Sequence, residues 1–400
     1  MSSRSVDVLI IGGGLTGATL LLALQGLGFS TLLVETKPFS DKINPDFDAR
    51  SLALSPASQR VLNTLELWPL LKNQATAIEM IHVSDQHRFG ISRLQGDAHN
   101  PLGYVLEMQH INMALQQKID PQQVLAPATL KALELEQGLA TISTTDGELQ
   151  VKAHLIVAAD GTDSLIRQWC KQPVVVKHYE QQAIVANIGL SKPHEQRAYE
   201  RFTAQGPLAL LPMKEQRMSL VWALNPQEAE RILRLEDAAF LKELQQAFGY
   251  RLGRFLKAGK RYSFPLKQVV MPEQVHWPVV FVGNSAHTLH PVAGQGFNLG
   301  LRDVATLAQC ITSMGLSKDM LQHYLKLRHH DQQTITHLTD GLIRVFTSRL
   351  PGIAFARNLG LLAFDHLPIL KNLLARYARG YGGVTPDLVC EIALSNRSLP

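Results

Sequence analysis

The sequence predicts an α/β protein into which an antiparallel sheet is inserted, and three patterns support this fold class. Val6–Ile11, Leu15–Leu27 and Thr31–Glu35 follow one another as strand, helix and strand, which is the pattern of a parallel βαβ unit. Between residues 174 and 271, short alternating segments such as RMSLVWAL and AIVANIGL predict an antiparallel sheet. After Asp303 the pattern is mostly helical. A chain of 400 residues exceeds the usual size of one hydrophobic core, so we expect two domains or one elaborated domain.

Composition and charge narrow the classes of function. The hydrophobic share of 46% is that of an ordinary globular protein, and the net charge is +5. Lysines and arginines do not cluster with aromatic residues, so we do not expect nucleic acid as a partner. Three cysteines, Cys170, Cys310 and Cys390, lie far apart without a CxxC or Cys/His cluster. This pattern predicts reduced thiols and favours neither a disulfide framework nor a metal site.

The stretch from Val8 to Val34 carries no charge and could be mistaken for a signal peptide or a membrane-spanning helix. Six glycines interrupt it, and Gln25 lies inside it. A strand, a glycine turn and a helix explain it better. We therefore predict no targeting segment and a cytoplasmic location.

A glycine motif, GxGxxG, joins the first strand to the first helix at Gly12, Gly14 and Gly17. The first glycine permits the tight turn, the second lets backbone approach a pyrophosphate, and the third allows close helix packing. The helix N-terminus offers unpaired N–H groups and its positive dipole end to phosphates. Glu35 follows about 20 residues on, where an acid can bind ribose hydroxyls. The motif predicts a Rossmann-like dinucleotide site, and both an NAD-linked dehydrogenase and a flavin enzyme can begin this way.

A second segment, LIVAADGTDSLIR, places Asp160 and Gly161 directly after an apolar run. One interpretation is an ordinary turn followed by a helix whose N-cap is Asp163 or Ser164. The other is a functional turn. The residues of this segment alone favour neither.

The third segment, FVGNSAHTLHPVAGQGFNLGLRD, extends from Phe281 to Asp303. Its strand ends at Gly283 and Asn284, where a side chain can reach a ribityl hydroxyl. The GQG triplet at 294–296 then begins a helix whose N–H groups can face the electron-rich edge of a flavin ring. Side chains on this loop would block that approach. A plain glycine-rich connection leaves the His-Pro pair and the GQG spacing unexplained, so we predict a flavin.

The three motifs, in this order, resemble those of the class A FAD-dependent aromatic hydroxylases, the para-hydroxybenzoate hydroxylase-like group. The segments FDARSLALSPAS, ERFTAQGPLALLPM and AFGYRLG make the resemblance closest for the hydroxylases of ubiquinone biosynthesis. It covers nearly the whole chain, as far as RNLGLL. Many relatives have Asp where this chain has Asn284, and Asn can still hydrogen-bond a ribityl hydroxyl without bringing charge.

The resemblance implies a Rossmann-like FAD-binding domain, with FAD as the cofactor and NAD(P)H as the co-substrate. The residues it implies for the FAD site are Gly12, Gly14, Gly17, Glu35, Arg50, Asp160, Gly161, Gly283, Asn284, Pro291, Gly294, Gln295 and Gly296. For Arg50 the alternative is a surface ion pair with Asp46 or Asp48. No catalytic residue is assigned, because loop histidines such as His287 and His290 are as often positional, and their spacing does not resemble a metal site.

The implied reaction is the hydroxylation of a polyprenylated phenol in ubiquinone biosynthesis. NAD(P)H reduces the flavin, O2 forms a C4a-hydroperoxyflavin, and the distal oxygen passes to the ring. No second GxGxxG follows a strand, so we expect NAD(P)H to bind without its own βαβ domain. Two alternatives stay open. One is another FAD hydroxylase or reductase of this fold, with a different ring position or prenyl substrate, and the other is an FAD-stabilised subunit of the ubiquinone assembly.

Domain boundaries and membrane contact are further expectations. The FAD-binding domain is assigned to residues 1–72, 100–173 and 272–340, the substrate domain to 73–99 and 174–271, and the C-terminal helical region to 341–400. Between Gly341 and Gly380 six lysines and arginines are interleaved with leucines against one acid, Asp365, which is typical of a helix lying on an anionic membrane. The membrane interpretation places the protein at the inner face of the membrane. Helices packed on the FAD domain with a solvated basic face are the alternative.

Overall fold

The structure is a computed structural model that describes residues 2–38, 50–347, 358, 360, 367 and 375–396. The described strands are, in chain order, β1 (Ser2–Ile11), β2 (Thr31–Val34), β3 (Ser51–Leu54), β4 (Thr76–Ile78), β5 (Met80–Asp85), β6 (Ile91–Gln95), β7 (Gly103–Glu107), β8 (Val124–Leu125), β9 (Ala128–Glu134), β10 (Leu139–Thr144), β11 (Gly147–Ala158), β12 (Val175–Leu190), β13 (Arg197–Phe202), β14 (Pro207–Met213), β15 (Arg217–Leu224), β16 (Phe255–Ala258), β17 (Tyr262–Val270), β18 (Val275–His276), β19 (Val279–Phe281) and β20 (His287–Thr288). The described α-helices are α1 (Leu15–Leu24), α2 (Pro56–Thr64), α3 (Trp68–Leu71), α4 (Met108–Lys118), α5 (Leu165–Trp169), α6 (Pro226–Leu233), α7 (Asp237–Phe248), α8 (Gln295–Met314) and α9 (Lys318–Thr347).

The first sheet has the order β18-β19-β11-β1-β2-β8, with β10 and β9 added beside β11. Its centre is parallel, because β1 pairs in parallel with β11 and β2, and β19 pairs in parallel with β11. Val8 and Ile10 of β1 face a core shared with α1, α4 and α8, while Leu9 faces a second core shared with β9, β10 and α5. A strand buried on both faces explains the apolar run from Val8 to Ile11, which follows the half-buried Asp7. The predicted α/β class is confirmed.

The first helix is shorter than the sequence predicts. It ends at Leu24, and a turn follows in which Gly26 and Gly28 have φ of +77° and +83°. These left-handed conformations suit glycine and end the helix. The second strand ends at Val34, so Glu35 lies just beyond the carboxyl end of β2.

The second sheet has the order β20-β17-β12-β15-β14-β13-β5-β6, with β16 beside β12. Neighbouring strands are antiparallel as predicted, except that β13 pairs in parallel with β5. One face packs on α6 and α7 through residues such as Trp222, Phe240 and Phe248. The strands come from the two segments assigned to the substrate domain, together with β20 from the segment 272–340, while β4 joins β3 and β7 in a third sheet. The division into domains remains a proposal.

A buried network of charges joins α8 to α9. Arg328 Nε donates to Asp303 Oδ1 at 2.8 Å, and Arg302 Nε donates to Asp331 Oδ2 at 2.7 Å. Arg328 also donates to Asp331, and His287 Nε2 lies 2.5 Å from the other oxygen of Asp303. Each of these side chains is at most 2% exposed. The network fixes α8, whose N-terminus carries the GQG triplet, against the long helix behind it.

None of the helices in the described ranges combines the length and the apolar composition of a membrane-spanning segment.

Candidate active site

A cavity of about 1070 Å³ lies between the glycine turns of the first sheet and the open face of the second. This volume is slightly above the usual range for small-molecule sites, about 300–1,000 Å³. Seven of the residues predicted for the FAD site line it: Gly14, Gly161, Asn284, Pro291, Gly294, Gln295 and Gly296. Three segments that are far apart in the sequence therefore meet at one cavity.

Two glycines of the first motif are required by packing. Gly12 has φ of +106°, and a Cβ there would lie 2.4 Å from the carbonyl oxygen of Ala159. A Cβ on Gly17 would lie 2.0 Å from the carbonyl oxygen of Gly12. Gly14 differs, since no described atom lies within 4 Å of its Cβ position. The first two glycines thus shape the turn, and Gly14 faces open space in the cavity wall.

The N-terminus of α1 is available to an anion. Its N-cap is Gly14, no side chain caps the helix, and no acidic residue lies in its first turn. Its first N–H groups therefore lack side-chain acceptors and point toward the turn. Beside them, the Glu35 carboxylate accepts hydrogen bonds from the backbone N–H groups of Gly13 at 2.7 Å and Lys37 at 2.9 Å. Glu35 is held next to the turn, although it does not line the cavity.

The end of the strand in the third segment, at Gly283 and Asn284, lies directly on α1. Gly283 has φ of +59°, and a Cβ there would lie 3.0 Å from Thr16. Gly300 of α8 also lies against Gly283, because a Cβ on Gly300 would be 3.2 Å from Gly283 Cα. Gly283 therefore serves the approach of the two helices, while the neighbouring Asn284 is exposed and lines the cavity.

The GQG triplet begins α8 as predicted. Gly294 is the N-cap with φ of +59°, and again no side chain caps the helix. The space beside Gly296 is open. Sequence reasoning missed Asn298 one turn later, which is buried and donates to the carbonyl oxygens of Ala53 and Gly294 at 2.8 and 2.7 Å. The signal in the sequence was a polar residue directly after GQGF, one turn into the predicted helix.

The Asp-Gly segment has a mainly structural geometry. Ser164 is the N-cap of α5 and accepts from the N–H of Arg167 at 3.1 Å. Asp160 Oδ2 accepts from the N–H of Leu165 at 2.9 Å, and its buried Oδ1 has no partner among the described residues. Gly161 alone of the Asp-Gly pair lines the cavity. The interpretation of an ordinary turn with a helix cap at Ser164 accounts for most of this segment.

Arg50 is exposed and does not line the cavity. Its carbonyl oxygen accepts from the N–H of Met108 at 2.8 Å, which places it at the start of β3. Asp46 and Asp48, the alternative partners, lie outside the described residues. A role for Arg50 near the cofactor stays a prediction.

The two loop histidines make structural contacts outside the cavity wall. His287 is bonded to Asp303 in the charge network. His290 accepts from the N–H of Val292 through Nδ1, and its ring meets Tyr179 edge-on with 5.0 Å between centroids. Burial lowers the pKa of His290 to about 4, so it is neutral at pH 7. Neither histidine lines the cavity.

This geometry fits a flavin dinucleotide. Two helix N-termini without side-chain caps, at Gly14 and Gly294, belong to the same cavity wall. Gly14 and Gly296 leave the space beside the backbone open, where a side chain would stand in the way of a ligand. A phosphate group suits the first helix, and an electron-rich ring edge suits the second. The fold and this site together define a flavin-dependent oxidoreductase.

Comparisons with known proteins agree. A family profile described as an FAD binding domain matches residues 5–338. Ubiquinone hydroxylase UbiL of Rhodospirillum rubrum is 34% identical over 96% of this chain and 92% of its own, and 3-demethoxyubiquinol 3-hydroxylase of Escherichia coli is 30% identical over 95% and 100%. The solved structure of p-nitrophenol 4-monooxygenase PnpA from Pseudomonas putida has a TM-score of 0.77 at 15% identity, covering 96% of this chain and 99% of its own.

The chain belongs to the FAD binding domain family and, within it, to the class A FAD-dependent hydroxylases of the ubiquinone-biosynthesis branch. It is an FAD-dependent monooxygenase with NAD(P)H as its co-substrate, as the sequence predicts. The individual FAD-contacting residues remain proposals.

Proposed function

We propose that this protein hydroxylates the aromatic ring of a polyprenylated phenol in ubiquinone biosynthesis, with NAD(P)H and O2 as co-substrates. The main support for this proposal is that one cavity joins the GQG turn to an apolar face of the second sheet. That face and the wall of α9 opposite it supply Ile81, Val83, Leu94, Ala198, Leu211, Val221, Leu338 and Leu342. Such a surface suits a prenyl-substituted ring and excludes water from it.

The chain's own residues bind and orient. The N-terminus of α1 at Gly14 would hold the pyrophosphate, and Asn284 would hydrogen-bond the ribityl chain. The N-terminus of α8 at Gly294 would favour negative charge on the ring edge. Bound FAD would supply the acceptance of hydride from NAD(P)H and the activation of O2. The second sheet would then place the substrate ring against the flavin.

The identity of the phenol is a finer part of the proposal. The segments quoted above most resemble 2-octaprenyl-6-methoxyphenol hydroxylase, which favours a polyprenylated methoxyphenol as the substrate and assigns no ring position. Hydroxylation of another prenyl substrate is the competing assignment. Identification of the phenol that accumulates when the protein is absent from cells separates them.

The proposed reaction can be tested with purified protein. We expect a flavin absorbance spectrum, NADPH oxidation that increases when a prenylphenol is added, and a product one oxygen atom heavier by mass spectrometry. A reductase would instead yield a product with added hydrogen. If the protein contains flavin but no prenylphenol stimulates its NADPH oxidation, the proposed enzymatic reaction is contradicted. That result would favour an FAD-stabilised subunit of the ubiquinone assembly.

We also propose peripheral contact with the inner face of the membrane through the basic segment 341–380, and association with other ubiquinone-biosynthesis proteins. Arg349, Arg357 and Lys371 of this segment lie outside the described residues. Arg344 pairs with Asp340 at 2.7 Å, which leaves less of its charge for lipid. We expect co-sedimentation with anionic liposomes that weakens when Arg349, Arg357 and Lys371 become Gln. Binding that is unchanged in this variant would favour helices packed on the FAD domain.

A further inference from the structure

The wall of the cavity contains one carboxylic acid in an apolar setting, Glu200 of β13. Ala198 and Phe202, two positions away on the same face of the strand, also line the cavity. The residues paired with Glu200 on the neighbouring strands are Val83 of β5 and Ala209 of β14, and both line the cavity too. Glu200 therefore projects from the centre of an apolar sheet face.

This carboxyl group lacks a protein partner. Its Oε1 is buried and makes no hydrogen bond to any described residue. Among the described residues, no lysine, arginine or histidine lines the cavity. The nearest acid on the same face of β5 is Asp85, opposite Phe202, and it is bonded to Asn358. The other titratable cavity residues are two tyrosines, Tyr199 and Tyr377.

The missing partner has a physical consequence. Glu200 is half-buried as a residue, but its Oε1 is fully buried, and a buried polar atom without a partner destabilises a fold. Burial raises the pKa of Glu200 to about 7, and no neighbouring charge contributes to the shift. An acid that is half ionised near neutral pH can both accept and donate a proton. Glu200 lies on the cavity wall, has no protein partner and can exchange a proton near neutral pH. These three properties indicate that it binds a ligand with a hydroxyl group.

We infer that Glu200 binds the hydroxyl group of the substrate phenol and accepts its proton while the ring is attacked by oxygen. The inference rests on the proposed function. The phenol O–H bond breaks as the carboxylic acid O–H bond forms, the electron pair stays on the phenol oxygen, and the charge of the pair remains −1. The developing phenolate makes the ring a better nucleophile toward electrophilic oxygen. After the new C–O bond has formed, the displaced ring hydrogen leaves as a proton that is taken up by the second oxygen atom of O2, which departs as water, and Glu200 returns its proton to the phenol oxygen.

Activity of the FAD-loaded protein gives the first test, with Glu200→Gln as the variant and the exposed Glu195→Gln as the control. We expect Glu200→Gln to retain FAD and NADPH oxidation but to lose product formation by about a hundredfold or more, since it cannot accept a proton. Product formation by the wild type should fall as the pH drops through about 7, and this acid limb should vanish in Glu200→Gln. A variant that forms product at the wild-type rate with the limb intact would overturn the inference.

Binding without turnover separates this inference from the proposed function. We expect the wild type to bind 2-geranylphenol at least about tenfold more tightly than its methyl ether, which cannot donate a hydrogen bond to a carboxylate. Glu200→Leu should bind the two compounds equally. The same preference in both proteins would overturn the role of Glu200 while the proposed function stands. A wild type that binds neither compound would overturn both.

Thermal stability distinguishes a carboxyl group that serves the reaction from one that stabilises the fold. The folded-state pKa of Glu200 is raised, so its contribution to stability is full below the ordinary carboxyl pKa and is lost as pH rises through about 7. We therefore expect Glu200→Gln to melt above the wild type, by a margin that grows between pH 5 and pH 8. A variant that melts below the wild type at pH 8 would indicate a structural carboxylate and contradict the inference.

Discussion

Replacement of Gly17 by alanine is expected to give a protein that purifies without bound FAD. The new Cβ would lie 2.0 Å from the carbonyl oxygen of Gly12, a backbone atom that cannot rotate away. Either α1 moves off the first sheet or the turn changes shape, and both displace the N–H groups that face the cavity. The flavin absorbance of the purified protein and its titration with added FAD measure the effect, which we expect to be a loss of affinity of at least about a hundredfold.

Two further glycine variants make this result interpretable. Gly341→Ala lies in α9 with open space around its Cβ position, so FAD binding should be unchanged. Gly14→Ala also meets no protein atom within 4 Å. Any loss of FAD in Gly14→Ala with normal stability therefore reports contact between Gly14 and the cofactor. Full FAD binding by Gly17→Ala would show that the turn is not where the dinucleotide is held.

Asp303→Ala is expected to cause the largest loss of stability, about 3–5 kcal/mol, because it removes one of the two carboxylates that neutralise buried Arg328 and leaves buried His287 without its carboxylate. Asp303 also accepts from His287 and from the amide of Gln332. Burial alone would raise the pKa of Asp303, but His287 and Arg328 outweigh it and hold that pKa well below the ordinary value. The stabilisation is therefore present above the ordinary carboxyl pKa and is lost as the pH falls toward the folded-state pKa.

Urea unfolding followed by far-UV circular dichroism measures this prediction. Asp163→Asn is the matched control, since Asp163 pairs with Lys267 at 2.8 Å but is 83% exposed, and we expect a change of less than about 1 kcal/mol. The difference between Asp303→Ala and the wild type should shrink at acid pH, where the wild-type carboxylate also becomes protonated. Equal stabilities at neutral pH would mean that α8 is held mainly by its apolar contacts.

The fold could be predicted largely because its elements have strong local patterns. The apolar run before Gly12, the alternation in RMSLVWAL and the GQG triplet before α8 each correspond to the predicted kind of element. The end of α1 was predicted three residues too late, since apolar periodicity continues through Leu27 while the backbone of Gly26 has already turned left-handed.

The site was less accessible to sequence reasoning, because its members are set by tertiary contacts. Asn298 and Glu200 lie within GQGFNLGLRD and ERFTAQGPLALLPM, but nothing in the spacing of these segments singles them out. Only the meeting of α8, β3 and the second sheet gives them their surroundings. Likewise, the motif around Asp160 has the same letters whether the carboxylate caps a helix or contacts a ligand. The hydrogen bond from the N–H of Leu165 to Asp160 Oδ2 supports the structural interpretation, in which Ser164 is the N-cap of α5.

One residue of the short strand β20, His287, bonds both to the second sheet and to α8. The backbone of His287 pairs with Val270 at the edge of the second sheet, while its imidazole is bonded to Asp303 between the long helices. A chimera that exchanges residues 174–271 with a relative, in order to change the molecule that is oxidised, must therefore reproduce this edge register. Otherwise the graft would displace Asn284 and Pro291, which line the cavity, and if these residues hold FAD as proposed, the altered specificity would come with a loosened prosthetic group.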